Sequence, residues 1–183
     1  MISIRTSTPS ECDKIREVHL RAFPAGEREL VADLAGNLLG ENTTPSVLSL
    51  VAEVEGEIAG HVALSPVATA SDRRWRGYIL APLGVCPEFQ KRGVGVALVE
   101  QGIARLRESQ VDVLFVYGDP QYYGKFGFQT ETAGAYAPPY ALQFPIGWQA
   151  MALRDEGNRQ IDEARAEPIA ISCVAALCDP RLW

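Results

Sequence analysis

The clearest amphipathic period in the chain is Val96, Val99, Ile103 and Leu106, spaced three and four apart, with Glu100, Arg105, Arg107 and Glu108 on the opposite side. It predicts a helix. A strand-like apolar run over 78–85 precedes it, and a short basic loop joins the two. Upstream, residues 2–5 read as a short strand, and Thr8-Pro9-Ser10-Glu11 carries a capping box with proline at the first helical position. The helix it opens places Cys12, Ile15, Val18 and Ala22 on one face and ends near Phe23-Pro24. Leu30, Leu34 and Leu38 predict a second helix that stops at Gly40. Strand-like runs over 47–54 and 57–65 are joined by Glu55-Gly56, a hairpin signal. Residues 72–76 read as a polar turn into the 78–85 strand.

Downstream of the amphipathic helix, 111–117 is a continuous apolar run of the kind a strand buried on both faces shows. Gly118-Asp119-Pro120 turns the chain into a short helix holding Tyr122 and Tyr123. Gly127-Phe128-Gln129 predicts the start of another strand, 135–140 a proline-rich loop, and 148–153 the last strand of the sheet. Residues 161–166 are polar. Pro168 then precedes an apolar run over 169–177 that needs cover, from the domain itself or from a second subunit. Strands and helices together make a mixed α/β (α+β) chain with no internal repeat.

Composition narrows the function classes. At 183 residues, 47% hydrophobic and 22% charged, the chain can bury a full single-domain core and is not a disordered segment. No apolar run reaches the roughly 18 residues of a membrane span. The start, Met1-Ile-Ser-Ile-Arg5, lacks the basic and apolar regions of a secretory signal. Cys12, Cys86, Cys173 and Cys178 form no C-x-x-C pair and only two histidines exist, so we expect buried thiols in a reducing cytoplasm and no metal. A net charge of −6 argues against a nucleic-acid surface and suits a cationic amine.

The loop before the amphipathic helix carries the candidate chemistry. A helix start leaves backbone N–H groups without partners, and the helix dipole adds partial positive charge there. Gly93 and Gly95 carry no Cβ, so a ligand can approach the backbone closely. The residues predict a site for an anion, most simply a phosphate or pyrophosphate. A dinucleotide fingerprint would need glycine where Leu98 stands, and a P-loop would need Ser or Thr after Gly124-Lys125, where Phe126 stands.

Gln90-Lys91-Arg92-Gly93-Val94-Gly95 resembles the Q/R-x-x-G-x-G/A signature of the GCN5-related N-acetyltransferases, the GNAT family. Leu83-Gly84-Val85-x-Pro87-Glu88-x-Gln90 before it and Tyr123-x-Lys125-x-Gly127-Phe128 after it resemble the same family in order and spacing. Pro82-Leu83-Gly84-Val85 and the segment Gly118-Asp119-Pro120-Gln121-Tyr122-Tyr123-Gly124-Lys125-Phe126-Gly127-Phe128 are similar to its bacterial YhbS-like branch. The resemblance is specific over about 51–128 and thin outside it. It implies an acyl-CoA N-acyltransferase fold: a mixed, mostly antiparallel sheet flanked by helices, with strands 4 and 5 splayed apart. Pro82, which cannot donate a ladder hydrogen bond, and Gly84, which suits a bulge, fit such a break in pairing.

The same resemblance implies that residues 1–154 form the N-acetyltransferase domain. Residues 155–183 are then an extension packing on it or on a partner subunit, with a homodimer as one possibility. It implies acetyl-CoA as the donor, whose acetyl group passes directly to a small-molecule or peptide amine. By the match of motifs, the backbone of Leu83, Gly84 and Val85 aligns pantetheine, while Gln90, Lys91, Arg92, Gly93, Val94, Gly95 and Val96 take the pyrophosphate. Tyr123 falls on the family's general acid for the leaving thiolate; its rival role is that of a core aromatic. The base is not assigned: Ala81 stands where many relatives place a glutamate, and water, Asp119, His61 or Glu27 could serve. Cys86 is the one cysteine beside the pantetheine strand. In the family the first two helices border the acceptor, which brings in Glu27, Arg28 and Glu29 as candidates against a plain solvated face. Tyr136, Tyr140, Phe144 and Trp148 would form an aromatic acceptor side. Two alternatives stay open: an acyltransferase using a longer acyl-CoA or a hydroxyl acceptor, and a non-catalytic sensor of CoA thioesters.

Overall fold

In the computed structural model, which describes residues 1–70, 74–154 and 167–183, the chain forms two compact units. The first comprises Met1–Ser65 and Ala81–Gly102, the second Pro66–Leu80 and Ile103–Trp183. The elements in order are β1 (Ile2–Thr6), α1 (Cys12–Ala22), α2 (Arg28–Gly40), β2 (Leu48–Val54), β3 (Glu57–Thr69), β4 (Gly77–Val85), α3 (Val94–Glu108), β5 (Val113–Tyr117), α4 (Pro120–Tyr123), α5 (Thr130–Ala133), β6 (Tyr136–Ala137), β7 (Trp148–Ala152) and β8 (Ile169–Cys173). Among the described residues no helix is long and apolar enough to cross a membrane. Residues 72 and 73 of the 72–76 turn and all of 161–166 lie outside the described residues.

In the first unit β1, β2 and β3 pair antiparallel in order, with Ile2 opposite Val54 and Leu48 opposite Leu64. The β2–β3 hairpin turns at Glu55 and Gly56, whose φ values of 56° and 85° are the two positive angles that a tight type I′ turn demands. The capping box forms as expected at Thr8, opening a 3-10 turn (Pro9–Glu11) that leads into α1. Ile15 of α1, Ala35 of α2 and Val51 of β2 form a fully buried cluster, with Leu39 and Ile58 packed against it. Burying each such aliphatic side chain contributes about 1.5–3 kcal/mol. Val94, Leu98 and Val99 of α3 are also buried. Gly60 of β3 permits this packing, because a methyl there would sit 3.0 Å from Gly84 O and 3.1 Å from Leu98 Cδ1 and Val94 Cγ1.

In the second unit β4 pairs in parallel with β5, from Gly77 opposite Val113 to Leu80 opposite Val116, where the register ends. β5 pairs antiparallel with β7, the end of β3 antiparallel with β8, and β6 in parallel with β8. Phe115 stacks on Trp148 at 5.1 Å between centroids and meets Tyr136 edge-on at 5.0 Å, and Trp75 stacks on Tyr136. The terminal Trp183 is buried against Trp148, Tyr117 and Tyr140, and its Nε1 donates to Leu177 O at 3.1 Å.

Three expectations need correction. Gln129 makes only an isolated bridge to Ala150 before α5 begins, so 127–129 does not start a strand. β7 is not the last strand, since β8 pairs with β3 and β6; alternation over Ile169–Cys173 buries Ile169 and Ile171 and exposes Ala170 and Ser172. Val96 does not share the core face of α3: it is 40% exposed, because the buried side runs through Val94, Leu98 and Val99.

An ion-pair cluster on β1 and the close packing at Gly77 set testable stabilities. Arg5 Nη2 donates to Glu11 at 2.6 Å and Arg5 Nε to Glu53 at 3.0 Å, and the Arg5 hydrogen bond holds the Glu11 carboxyl at about 2, against an ordinary 4.5. A depressed carboxylate stabilises the fold above its unfolded value, so this contribution is lost as pH falls from about 4.5 towards about 2. Glu11→Gln should cost about 1–2 kcal/mol at pH 7 and flatten that acid limb in urea titrations at stepped pH. Gly77→Ala should cost about 2–3 kcal/mol in denaturant midpoint, because its methyl would stand 2.3 Å from Trp75 Cη2 and 2.6 Å from Val67 Cγ2.

Candidate active site

The first unit brings all the expected donor-binding residues into one continuous stretch. β4 ends at Val85, and Cys86 N donates to Ala59 O at 2.9 Å, tying the exit of the strand to β3. A 3-10 turn (Pro87–Phe89) buries Phe89, and the loop then crosses the left-handed region at Lys91 (φ 58°) and Gly93 (φ 84°). α3 starts at Val94, with Ala97 N donating to Gly93 O at 2.9 Å as the first helical bond. The amides of Val94, Gly95 and Val96 therefore precede the helical ladder and have no partner within it. Gly93 has nothing within 4 Å of where a side chain would stand, so the backbone there faces open space.

The side chains of the loop divide the work. Gln90 Nε2 donates to Val85 O at 3.0 Å and so braces the loop against the end of β4. Arg92 lays its guanidinium over the Phe89 ring at 5.3 Å and stands 3.9 Å from Glu55; that exposed pair contributes little. Lys91 is exposed. Two cations beside unpartnered helix amides favour an anion. Leu83 and Val85 are half-buried and Gly84 is buried. The space a Gly84 side chain would occupy is filled by the His19 ring, whose Nδ1 would stand 2.7 Å from an added methyl.

Cys86 is buried, and burial raises its thiol above the ordinary value despite nearby Arg21, so it rests as a neutral thiol. It lines a groove of about 400 Å³ with Asp13, Glu17, Arg21 and Glu57.

Tyr123 lies in the second unit, at the end of α4. Asp119 caps that helix, its carboxylate accepting from Gln121 N at 2.9 Å, which occupies one of the expected base candidates. The Tyr123 ring fills the space beside Gly118, where a methyl would stand 2.5 Å from Cε2, and meets the Tyr122 and Phe128 rings edge-on. Burial raises its hydroxyl above the ordinary 10, so the phenol keeps its proton at neutral pH.

The aromatic acceptor wall is redistributed. Tyr136 and Trp148 are core residues, 2% and 6% exposed, because their rings carry the Phe115 stack. Phe144 alone of the expected four lines an apolar pocket of about 420 Å³ with Tyr117, Asp119, Ile146 and Gly147. Tyr117 accepts there from Phe144 N at 2.9 Å. Glu27, Arg28 and Glu29 are exposed around the start of α2.

His61, the remaining base candidate, is fully buried with both ring nitrogens in hydrogen bonds, to His19 and to Ser49. His19 is a residue that the sequence motifs do not single out. Its position carries the signal nonetheless, since it stands four residues after Ile15 on the buried face of α1.

Known proteins share this fold. The profile of the Acetyltransferase (GNAT) family matches residues 12–128. The chain is 37% identical over 136 residues to the uncharacterized N-acetyltransferase YjhQ of Escherichia coli K12, covering 73% of each. It is 35% identical over 129 residues to YhbS of the same organism, covering 69% of this chain and 72% of that one. The crystal structure of Escherichia coli YhbS in complex with CoA superposes with a TM-score of 0.77 at 26% identity, over 96% of this chain and 91% of that one. A Brucella melitensis GNAT acetyltransferase in complex with acetyl-CoA gives 0.72 at 26% identity, over 96% and 97%. With its profile match running from α1 to Phe128 and a relative at 37% identity, this chain belongs to the GNAT family of N-acetyltransferases, which are acyl-CoA-dependent transferases.

Proposed function

We propose that this protein moves the acetyl group of acetyl-CoA directly to an amine acceptor within a ternary complex. The observation that carries the reading is the loop of the first unit, where left-handed Lys91 and Gly93 lead into the unpartnered amides of Val94, Gly95 and Val96. Support comes from two solved relatives of the same fold, one holding CoA and the other acetyl-CoA. In this reading the loop amides, with Lys91 and Arg92, grip the donor pyrophosphate, and Gln90 keeps the loop in place. The Leu83–Val85 backbone aligns pantetheine as an added strand would, and an amide there donates to the oxyanion as the carbonyl is attacked.

Acyl transfer then needs a neutral amine and a proton donor for the thiolate. Tyr123 is the donor in this reading, and its raised hydroxyl ensures that the proton is present when sulfur leaves. The pocket between Tyr117, Phe144 and Ile146 suits an acceptor with an apolar body, and Asp119 at the same pocket suits its positive charge.

Two variants test this reading. Val96→Asp adds a charge at an exposed first-turn position, where an acid is compatible with the helix dipole, so the fold should hold. Its carboxylate would repel the pyrophosphate and weaken acetyl-CoA binding by about tenfold or more in calorimetric titration. Unchanged affinity would place the donor elsewhere. Tyr123→Phe should lower kcat by about 10²-fold in thiol-release assays while leaving the acetyl-CoA Kd in place; an unaltered kcat would remove Tyr123 from the chemistry.

A further inference from the structure

In the second unit the Trp183 ring meets three aromatic side chains that together frame one loop. Its indole stacks on Tyr117 at 6.3 Å between centroids and 13° between planes, lies 6.3 Å from Tyr140 and meets Trp148 edge-on at 6.1 Å. Tyr140 stands four residues before Phe144 and Trp148 four after it, so both ends of the 140–148 loop rest on one ring. The indole is buried, and its Nε1 donates to Leu177 O at 3.1 Å. Leu177 ends the 3-10 turn (Ala175–Leu177) that follows β8, and β8 pairs with the end of β3 and with β6. Residues 169–183 therefore tie this loop to the sheet.

The loop presents apolar side chains on a fixed backbone. Phe144 and Ile146 are 69% and 70% exposed. Their backbone is pinned, with Phe144 N donating to Tyr117 Oη at 2.9 Å, Gly147 N to Phe144 O at 2.8 Å and Gly118 N to Gly147 O at 3.0 Å. Both side chains line the 420 Å³ pocket with Tyr117 and Asp119. Side chains placed in advance by their backbone lose little freedom when a ligand covers them. Tyr117 has two parts here: its ring is one wall of the pocket, and its hydroxyl holds the Phe144 wall opposite. Gly118, also at the pocket, backs onto the Tyr123 ring.

We propose that Trp183 is a positioning residue for the acceptor, setting the gap between Tyr117 and the Phe144–Ile146 wall and so the preference for an amine with an apolar body over a short one. This rests on the acetyl-transfer reading above. Trp183 does not touch the acceptor; it acts through Tyr117 and through the two ends of the loop. The ammonium lies towards Asp119 and the apolar body enters between Tyr117, Phe144 and Ile146. Such a body gains affinity with the area these walls cover, whereas a short amine has little to cover. A displaced wall is therefore felt by the first amine and not by the second. A ring that merely filled the core would change stability and treat both amines alike.

The test compares 2-phenylethylamine with ethylamine on the full chain, by calorimetric titration and by KM in thiol-release assays. Wild type should favour 2-phenylethylamine by about tenfold or more. Trp183→Ala should remove most of that preference by raising the 2-phenylethylamine KM about tenfold, with kcat, the ethylamine KM and the acetyl-CoA Kd within about twofold. Trp183→Phe keeps a ring against Tyr117 and should bring the preference back to within about threefold of wild type. A wild-type preference in Trp183→Ala at whatever Tm, equal losses for both amines, or no rescue by Trp183→Phe would each overturn the positioning role. If Trp183→Ala fails to fold, Tyr117→Phe decides, because it keeps the ring and loses only the bond to Phe144 N. It should lower the preference about threefold, and an unchanged preference overturns the proposal. The titrations need no donor, which separates the two failures. Selective amine binding by a wild type that does not bind acetyl-CoA would sink the transfer reading and keep the pocket; acetyl-CoA binding without amine preference would sink the pocket.

Discussion

β4 is the constraint on which the site depends. Its pairing with β5 ends at Leu80 opposite Val116, and the strand continues through Pro82 to Val85. A strand that outruns its neighbour leaves backbone groups to be satisfied by something other than that neighbour, and Pro82 has no N–H to offer. The chain immediately after β4 then turns through Lys91 and Gly93 into the start of α3, a second set of unpartnered amides. Both are backbone features, which is why Pro82, Gly84, Gly93 and Gly95 recur along the stretch.

Packing holds this stretch where it is. Val94, Leu98 and Val99 bury one side of α3, and Gly60 lets β3 approach Gly84 and the first turns of that helix closely. Gln90 ties the loop to Val85, and Cys86 ties the end of β4 to Ala59. In the proposed reading such bracing matters, because backbone donors are useful only when their directions are set before the ligand arrives. Val96, apolar yet exposed at the first turn, marks the side of the helix left uncovered by this packing.

The buried line of His19, His61 and Ser49 makes the opposite use of an interior. Two imidazoles without a counter-charge can stay in a core only as neutral rings with their hydrogen bonds arranged in series. That arrangement fixes tautomers, and tautomers decide whether His19 presents a proton or a lone pair towards Gly84. Gly84 then has two duties: it leaves the strand backbone open, and it makes room for the His19 ring.

By itself the sequence determined the order and type of nearly all elements from β1 to β7, because capping boxes, hairpin turns and apolar periods are local and each fits within a few residues. The turn of the Q-K-R-G-V-G loop was legible for the same reason, since six adjacent residues carry its glycines and its cations. Tertiary structure decided what depends on distant pairings. β8 was invisible as a strand because its partners, β3 and β6, are far from it in sequence. Tyr136 and Trp148 read as acceptor-facing until Phe115 claimed their rings for the core. His19 joins His61 and Ser49 only through the meeting of α1, β2 and β3. Burial and hydrogen-bond order are properties of that meeting, and no single segment of the chain contains them.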